Sequence, residues 1–288
     1  MLPSRFEYHR ASTVEEALEL LDRYGEDAKV LAGGQSLIPL LKLRFAAPEH
    51  LIDVNPIEAL RGIAEAGGTL TIGALTRHNE LIRSDVIARY PAIATAAPQI
   101  ADPLVRNLGT IGGSLAHADP AGDLGAVMLA MGASVVLRSS SGERTVSIDE
   151  FLVDTFTTTI APNELLTEVH VPTPAARSGG TYLKLERKVG DFATVAAAVT
   201  LTLDNGTIGH AGIALTGVDS KNVHATGAEA SLAGSAPSDE AFAEASRLAA
   251  AAAHPVTDVR GTETYKRHMI EVYVRRGLAR SLEMANAG

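Results

Sequence analysis

The sequence predicts an α+β fold in two domains, on three observations. Strand-like segments are separated by tight glycine turns, so neighbouring strands pair locally and no regular βαβ array forms. The chain's 288 residues exceed the ~100–200 of an ordinary single domain. Between Pro172 and Gly180 lie two prolines, two glycines and small polar residues, the composition of a linker. The boundary is therefore set near residue 175, giving domains 1–175 and 176–288.

Residues 12–24 predict a helix, capped by Ser12 or Thr13, with Glu15 and Glu16 at its positive end and Gly25 as its stop. Lys29–Ala32 reads as a buried strand entering a glycine turn, and Ser36–Leu43 as a helix leaving it. His50–Val54 is a strand. Gly62–Ala74 alternates around Gly67-Gly68, a hairpin pattern. Thr76–Leu81 and the Ala-rich stretch 85–100, broken at Pro91, are helical. Val105–Ser114 reads as a polar, glycine-rich loop. Asp119 is the expected N-cap, and Pro120 the first residue, of a helix running to Met131. Ala133–Arg138 and Val146–Phe151 are strands around a turn at Ser139–Glu143, and Glu164–Val171 is another.

Beyond the linker, Thr181–Lys188, Thr194–Leu203 and Ile208–Leu215 are strands, with Asp204-Asn205-Gly206 as a hairpin turn. Residues 238–253 form a helix. A terminal helix spans Thr262–Ala285, with Tyr265, Met269, Val272 and Tyr273 placed to face one side.

Bulk properties exclude several function classes. The formal charge is −9, which disfavours nucleic-acid binding. Without cysteine there are no disulfides, thiolate zinc sites or ordinary iron–sulfur clusters in this chain. No apolar h-region follows Met1 and no run of ~18 apolar residues is present, so neither a signal peptide nor a membrane span is expected. A cytoplasmic location is expected. The nine histidines are scattered without metal-ligand spacing, and His117-x-Asp119 reads as a loop histidine, so no metal site is expected.

Two segments could carry chemistry. In Ala32-Gly33-Gly34-Gln35-Ser36-Leu37, glycines after a buried strand let backbone amides and the next helix face one anion, such as a pyrophosphate. A plain strand-to-helix turn fits the pattern equally well. Thr110-Ile111-Gly112-Gly113-Ser114 repeats the theme with small polar flanks. Asp123 lies one turn past Asp119, and is either an acceptor for cofactor hydroxyls or a solvated first-turn residue. Neither segment matches the dinucleotide G-x-G-x-x-G fingerprint or the P-loop. No nucleophile elbow is present. Arg44, Arg106, Arg187 and Lys188 could face a partner, but solvated surface is the better reading of each.

At these segments the chain resembles the FAD-binding (medium) subunits of the xanthine dehydrogenase and aerobic carbon monoxide dehydrogenase family, the molybdenum hydroxylases. The resemblance runs in order through Lys29–Pro39, Arg106–Ser114 with Asp119–Leu124, Glu164–Val169, Tyr182–Ala193 and Asp258–Arg267. It implies a two-part α/β FAD-binding domain (PCMH-type), with parts at roughly 1–55 and 56–175, followed by a smaller C-terminal sheet-plus-helix domain. FAD would lie extended between the two parts, held by Ala32, Gly33, Gly34, Gln35, Ser36 and Leu37 and by Thr110, Ile111, Gly112, Gly113 and Ser114. Asp123 stands at an FAD-contacting aspartate of the family. Ile100, Leu166 and Lys184 stand at or beside cofactor-lining positions. Phe192 matches a position near the isoalloxazine, where an aromatic can shield a ring face. Ser114 departs from the family's usual Asn or Asp, and Gln35 stands where some members have His.

The resemblance also implies partners: a large molybdopterin subunit that hydroxylates the substrate, and a small subunit with 2Fe–2S clusters, assembled as a dimer of heterotrimers. FAD would collect electrons here for an external acceptor, with no catalytic acid or base from this chain. Two alternatives are a free-standing flavin oxidoreductase, which needs its own substrate pocket and proton donor, and a non-redox nucleotide-binding protein, which would hold no flavin.

Overall fold

The computed structural model describes residues 2–287; Met1 and Gly288, the outermost residues of the two expected domains, lie outside the described residues. The chain opens with β1 (Glu7–Arg10), α1 (Val14–Tyr24), β2 (Ala28–Leu31), α2 (Leu37–Leu43) and β3 (His50–Asp53). These strands form a parallel sheet in the order β1-β3-β2. Thr13 caps α1 by accepting from the Glu16 amide at 3.1 Å, and Gly25 ends the helix at φ 50°. Val14, Ala17, Leu18 and Leu21 recur at helical spacing and pack against Ile52 of the central strand.

Next come β4 (Ile63–Ala66), β5 (Thr69–Gly73), α3 (His78–Arg83), α4 (Pro91–Ala96), α5 (Pro103–Leu108), α6 (Ile111–His117) and α7 (Asp123–Ala130). After them run β6 (Ser134–Ser139), β7 (Gly142–Ser147), α8 (Ile148–Phe151), β8 (Leu152–Asp154), β9 (Thr157–Thr158) and β10 (Leu165–Pro172). An antiparallel sheet, β4-β5-β10-β6-β7, supports the short helices, and β8 and β9 pair separately.

The last part contains β11 (Ser178–Leu185), β12 (Val195–Asp204), β13 (Thr207–Thr216), β14 (Val223–His224), α9 (Thr226–Leu232), α10 (Asp239–Ala252) and α11 (Glu263–Ala287). Its antiparallel sheet, β11-β12-β13-β14, is covered on both sides. Ala196, Ala198 and Ala214 join the core that includes α4 and α7. Val195, Ala197, Val199 and Leu201 face the core built with α10 and α11. Double burial explains why this strand reads as a continuous apolar run. Asn205 and Gly206 turn the β12–β13 hairpin with φ 49° and 87°, as a two-residue primed turn requires.

The α+β class and the hairpins agree with the sequence reading; several local expectations need correction. Val105–Ser114 is not a loop. Asp102 accepts from the Leu104 and Val105 amides to start α5, and Thr110 caps α6. Asp119 does not cap α7, which begins at Asp123; its Oδ1 instead accepts from the Ala121 amide at 2.9 Å. Val146–Phe151 is a strand only to Ser147, whose hydroxyl caps α8. Ser178–Gly180, read as linker, are strand residues of β11. A Cβ on Gly179 would lie 2.0 Å from the Ser281 carbonyl oxygen, so glycine here lets α11 pack against the strand. The buried stripe of α11 is Lys266, Ile270, Val274, Leu278 and Ser281, displaced from the expected face. No described helix is long and apolar enough to cross a membrane.

Leu278 is fully buried between α11 and the sheet. Replacing it with Ala is expected to cost about 3 kcal/mol of unfolding free energy, read from urea denaturation at constant slope.

Candidate functional site

The segment after β2 leaves the sheet with a run of unspent donors. Among the described residues, the amides of Gly33, Gly34, Gln35, Ser36 and Leu37 donate to no protein acceptor. Their carbonyls are engaged instead: Gly33 O accepts from Gln35 Nε2 at 3.1 Å, and Gly34 O from the Ile38 amide at 3.0 Å. Gly34 has φ 73°, which L side chains rarely adopt. A Cβ on Gly33 would lie 2.3 Å from the Leu108 carbonyl oxygen, so the first glycine segment meets, backbone to backbone, the turn that leads into the second. Successive free amides in such a turn form a concavity suited to an anion.

The second segment differs from the expectation that its glycines expose amides. The amides of Ile111, Gly112 and Ser114 donate to Thr76 O, Ala74 O and Thr110 O, at 3.0, 2.9 and 3.0 Å. That of Gly113 donates to Thr110 Oγ1 at 3.1 Å. Ile111 and Gly112 are buried, and a Cβ on Gly112 would sit 2.6 Å from Ala74 Cβ. Glycine serves close packing here, and only Gly113 and Ser114 keep partial exposure.

Two braces hold the junction. Arg77 donates to the Leu108 carbonyl and, at 2.6 Å, to Asn55 Oδ1, while Asn55 Nδ2 donates to Ala32 O at 2.7 Å. Arg106 Nη1 donates to Ile100 O and Ala101 O at 2.8 and 3.0 Å. Arg106 is thus a positioning group and not the solvated residue expected. Ala101 itself is held at φ 42°, an uncommon conformation for a residue with a Cβ. The loop carrying Phe192 reaches the same place: a Cβ on Gly190 would lie 2.9 Å from Ala101 O. Phe192 is 53% exposed.

Asp123 is buried, which corrects its reading as a solvated first-turn residue. Tyr182 donates its hydroxyl to Oδ1 at 2.6 Å. Lys184 Nζ lies 3.1 Å from Oδ1 and 3.2 Å from Oδ2, and also donates to the Gln99 carbonyl at 3.0 Å. Burial pushes the Asp123 carboxyl above its ordinary value, against the pull of the Lys184 ammonium and the Tyr182 hydroxyl. Burial, and then Asp123, drive the Tyr182 phenol well above the usual range. Glu186 stands 3.6 Å from Lys184, and its buried Oε2 lacks a hydrogen-bond partner among the described residues.

Of the expected site residues, the fold therefore brings Ala32–Leu37 against the start of α6, and Asp123 against Lys184 beside the Ile100 turn. Leu166 is a buried core residue of β10.

A family model described as the FAD binding domain in molybdopterin dehydrogenase matches residues 4–174, more than half of the chain. The chain belongs to that family. A second model, the CO dehydrogenase flavoprotein C-terminal domain, matches residues 180–281. The carbon monoxide dehydrogenase medium chain of Hydrogenophaga pseudoflava is 47% identical over 96% of this chain and 97% of its own length. Subunit alpha of the 6-hydroxypseudooxynicotine dehydrogenase complex from Paenarthrobacter nicotinovorans is 42% identical, with 99% and 97% covered. A solved carbon monoxide dehydrogenase from Hydrogenophaga pseudoflava, lacking the Mo-pyranopterin moiety of its molybdenum cofactor, superimposes with a TM-score of 0.96 at 48% identity, covering 99% of both chains. These relatives are oxidoreductase subunits of molybdenum hydroxylases.

Within this family member, sequence reasoning had missed Tyr182, Glu186 and Gln99. Tyr182 and Lys184 alternate along β11 and so share a face, and Glu186 follows just past the strand's end at the same two-residue spacing. Gln99 carried no signal, because its contribution to Lys184 is a main-chain carbonyl. His78 was also missed. It is buried beneath Gly109, whose carbonyl accepts from the His78 amide at 3.0 Å.

Burial, with Arg77 and Arg106 nearby, lowers the His78 pKa from 6.5 to about 4. The unfolded chain then binds more protons than the native one between those values, so stability falls as pH drops from 6.5 to about 4. The expected loss from this residue is ~3 kcal/mol. Unfolding of wild type and His78→Asn, compared across that window, should show the wild-type slope reduced in the variant.

Proposed function

We propose that this chain is the FAD-carrying electron-transfer subunit of a molybdenum hydroxylase complex, with the cofactor lying across the junction of the two glycine segments. The observation that carries the placement is the run of unspent amides from Gly33 to Leu37, beside a glycine contact that a Cβ would block. A pyrophosphate is complementary to it in charge and in donor count. FAD, when bound, supplies the two-electron chemistry that links the 2Fe–2S clusters of a small subunit to an external acceptor.

The chain's residues then have separable roles. Ala32, Gly33, Gly34, Gln35, Ser36 and Leu37 bind the phosphates through main-chain donors. Gly113 and Ser114 form the opposing wall, with Thr110, Ile111 and Gly112 fixing it to the core. Lys184 is held near Ile100 by Asp123, and its buried ammonium can stabilise negative charge developing on a ring beside it. Leu166 supports that wall from within. The half-exposed Phe192 ring can shield a flavin face and exclude water. No side chain in this arrangement is needed to transfer a proton to a substrate.

The division into residues 1–175, with parts at roughly 1–55 and 56–175, and 176–288 belongs to the same proposal. So do a large molybdopterin subunit as partner, assembly as a dimer of heterotrimers, and a cytoplasmic location. The relatives' names cover chemically different substrates, carbon monoxide and a nicotine derivative, for chains of one architecture. This favours substrate selection by another subunit.

Ser36 is exposed, so Ser36→Asp leaves the fold intact while adding a carboxylate beside the amides. FAD affinity should fall about 10- to 100-fold, corresponding to ~1–3 kcal/mol of lost charge-assisted bonding. Flavin content after purification and fluorescence titration of the apo chain read this directly. A variant that keeps full flavin would remove the pyrophosphate from this loop.

A further inference from the structure

We propose that Glu7, His9 and His50 form a binding site for a zinc-class dication, remote from the flavin loops at the opposite edge of the parallel sheet. Strand geometry assembles it. Glu7 and His9 are two residues apart on β1 and so share a face. Parallel pairing sets His50 directly opposite Glu7. Residues 41 positions apart in sequence thereby present three donors in one place.

The separations match one shared ion. His9 Nε2 and His50 Nδ1 are 3.1 Å apart, and Glu7 Oε2 lies 3.6 Å from His50 Nδ1 and 3.9 Å from His9 Nε2. Tetrahedral coordination with bonds of about 2.0–2.1 Å puts neighbouring donors about 3.3 Å apart. Small rotations of the exposed Glu7 side chain close the remaining difference. Two imidazoles and one carboxylate suit zinc, with nickel and copper as chemical relatives, and leave a fourth position for water.

The rings are also held in place. Tyr24 stacks on His50 at 3.7 Å and 17°, and on His9 at 5.0 Å and 28°. Tyr24 is the last residue of α1, so the stack ties the ring orientations to the N-terminal core. Both histidines are partly buried, at 20% and 15% side-chain exposure, whereas Glu7 is 73% exposed, which leaves a path for the ion. Metal binding replaces the ring-to-ring hydrogen bond: the ring that donated it takes its other neutral tautomer, with the proton on the ring nitrogen facing away from the ion. The bound ion would cross-link the edge strand β1 to the central strand β3.

The test uses the full chain, stripped of metal with a chelator and titrated with Zn2+ by calorimetry and with Co2+ by visible absorption. One equivalent should bind, with the intense d–d bands of a tetrahedral site. His9→Gln and His50→Gln should each weaken binding at least 10-fold and remove those bands. Glu7→Gln, at an exposed position that leaves folding intact, should also weaken it. His224→Gln, which breaks a separate His–carboxylate cluster with Asp149 and Glu229, should leave it unchanged. No saturable binding, binding untouched by the three site variants, or binding lost in His224→Gln would each overturn the proposal. Flavin content reports independently on the glycine loops, so failure here is distinguishable from failure of the FAD placement.

Discussion

Burial of the β12–β13 pair on both faces is the constraint from which the rest of the architecture follows. Alternate residues of β12 point to opposite cores, one shared with α4 and α7, the other with α10 and α11. Removing that apolar surface from water is the dominant favourable term in folding. It also fixes positions with little tolerance. A Cβ on Gly212 would lie 1.9 Å from the Ala130 carbonyl oxygen at the end of α7, so helix and strand sit at the limit of approach. With α7 seated this way, its first residue, Asp123, must enter the interior beside β11.

That consequence is expensive unless answered. A carboxylate at 8% exposure would be costly to keep ionised, and Tyr182 and Lys184 supply the donors that offset the cost. Both come from β11, the strand paired with β12. Apolar burial and polar satisfaction thus act through the same sheet. Lys184 in turn bonds the Gln99 carbonyl, next to Ile100, so the cluster sets the position of the turn that faces the glycine junction. Stability and site geometry are coupled here through three side chains.

Much of this was legible from short-range signals. The Thr13 cap with its apolar stripe, the Gly67-Gly68 and Asn205-Gly206 turns and the strand into Gly33 each express a local rule that the fold obeys. Errors arose where local rules compete or where tertiary contacts decide. Thr110 and Asp102 are both sound N-caps, but the glycines between and after them suggested a loop. Asp119 looked like a cap because Pro120 followed it, yet its side chain closes a turn onto Ala121. Gly179 and Gly180 resembled a linker because the sequence does not reveal α11 packed against the first and α4 against the second. The inner face of α11 was displaced because Lys266 and Ser281 lie inside: Lys266 bonds Val256 O at 2.9 Å, and Ser281 bonds Val199 O at 3.3 Å. Polar residues that find partners defeat hydrophobic periodicity.

The two glycine segments, similar in composition, meet opposite physical demands. Around Gly33 and Gly34 the carbonyls are bonded but the amides have no protein acceptor, so the donors stay open to solvent or a ligand. Around Gly112 and Gly113 every amide from Ile111 to Ser114 is already spent, and glycine allows α6 to approach Ala74 and Ala32. One segment therefore offers open donors; the other is a rigid surface beside them. Donors on a rigid scaffold bind an anion with little reorganisation, which is the form of preorganisation an electron carrier requires. Since the redox group brings its own chemistry, this chain's part is to hold it in place.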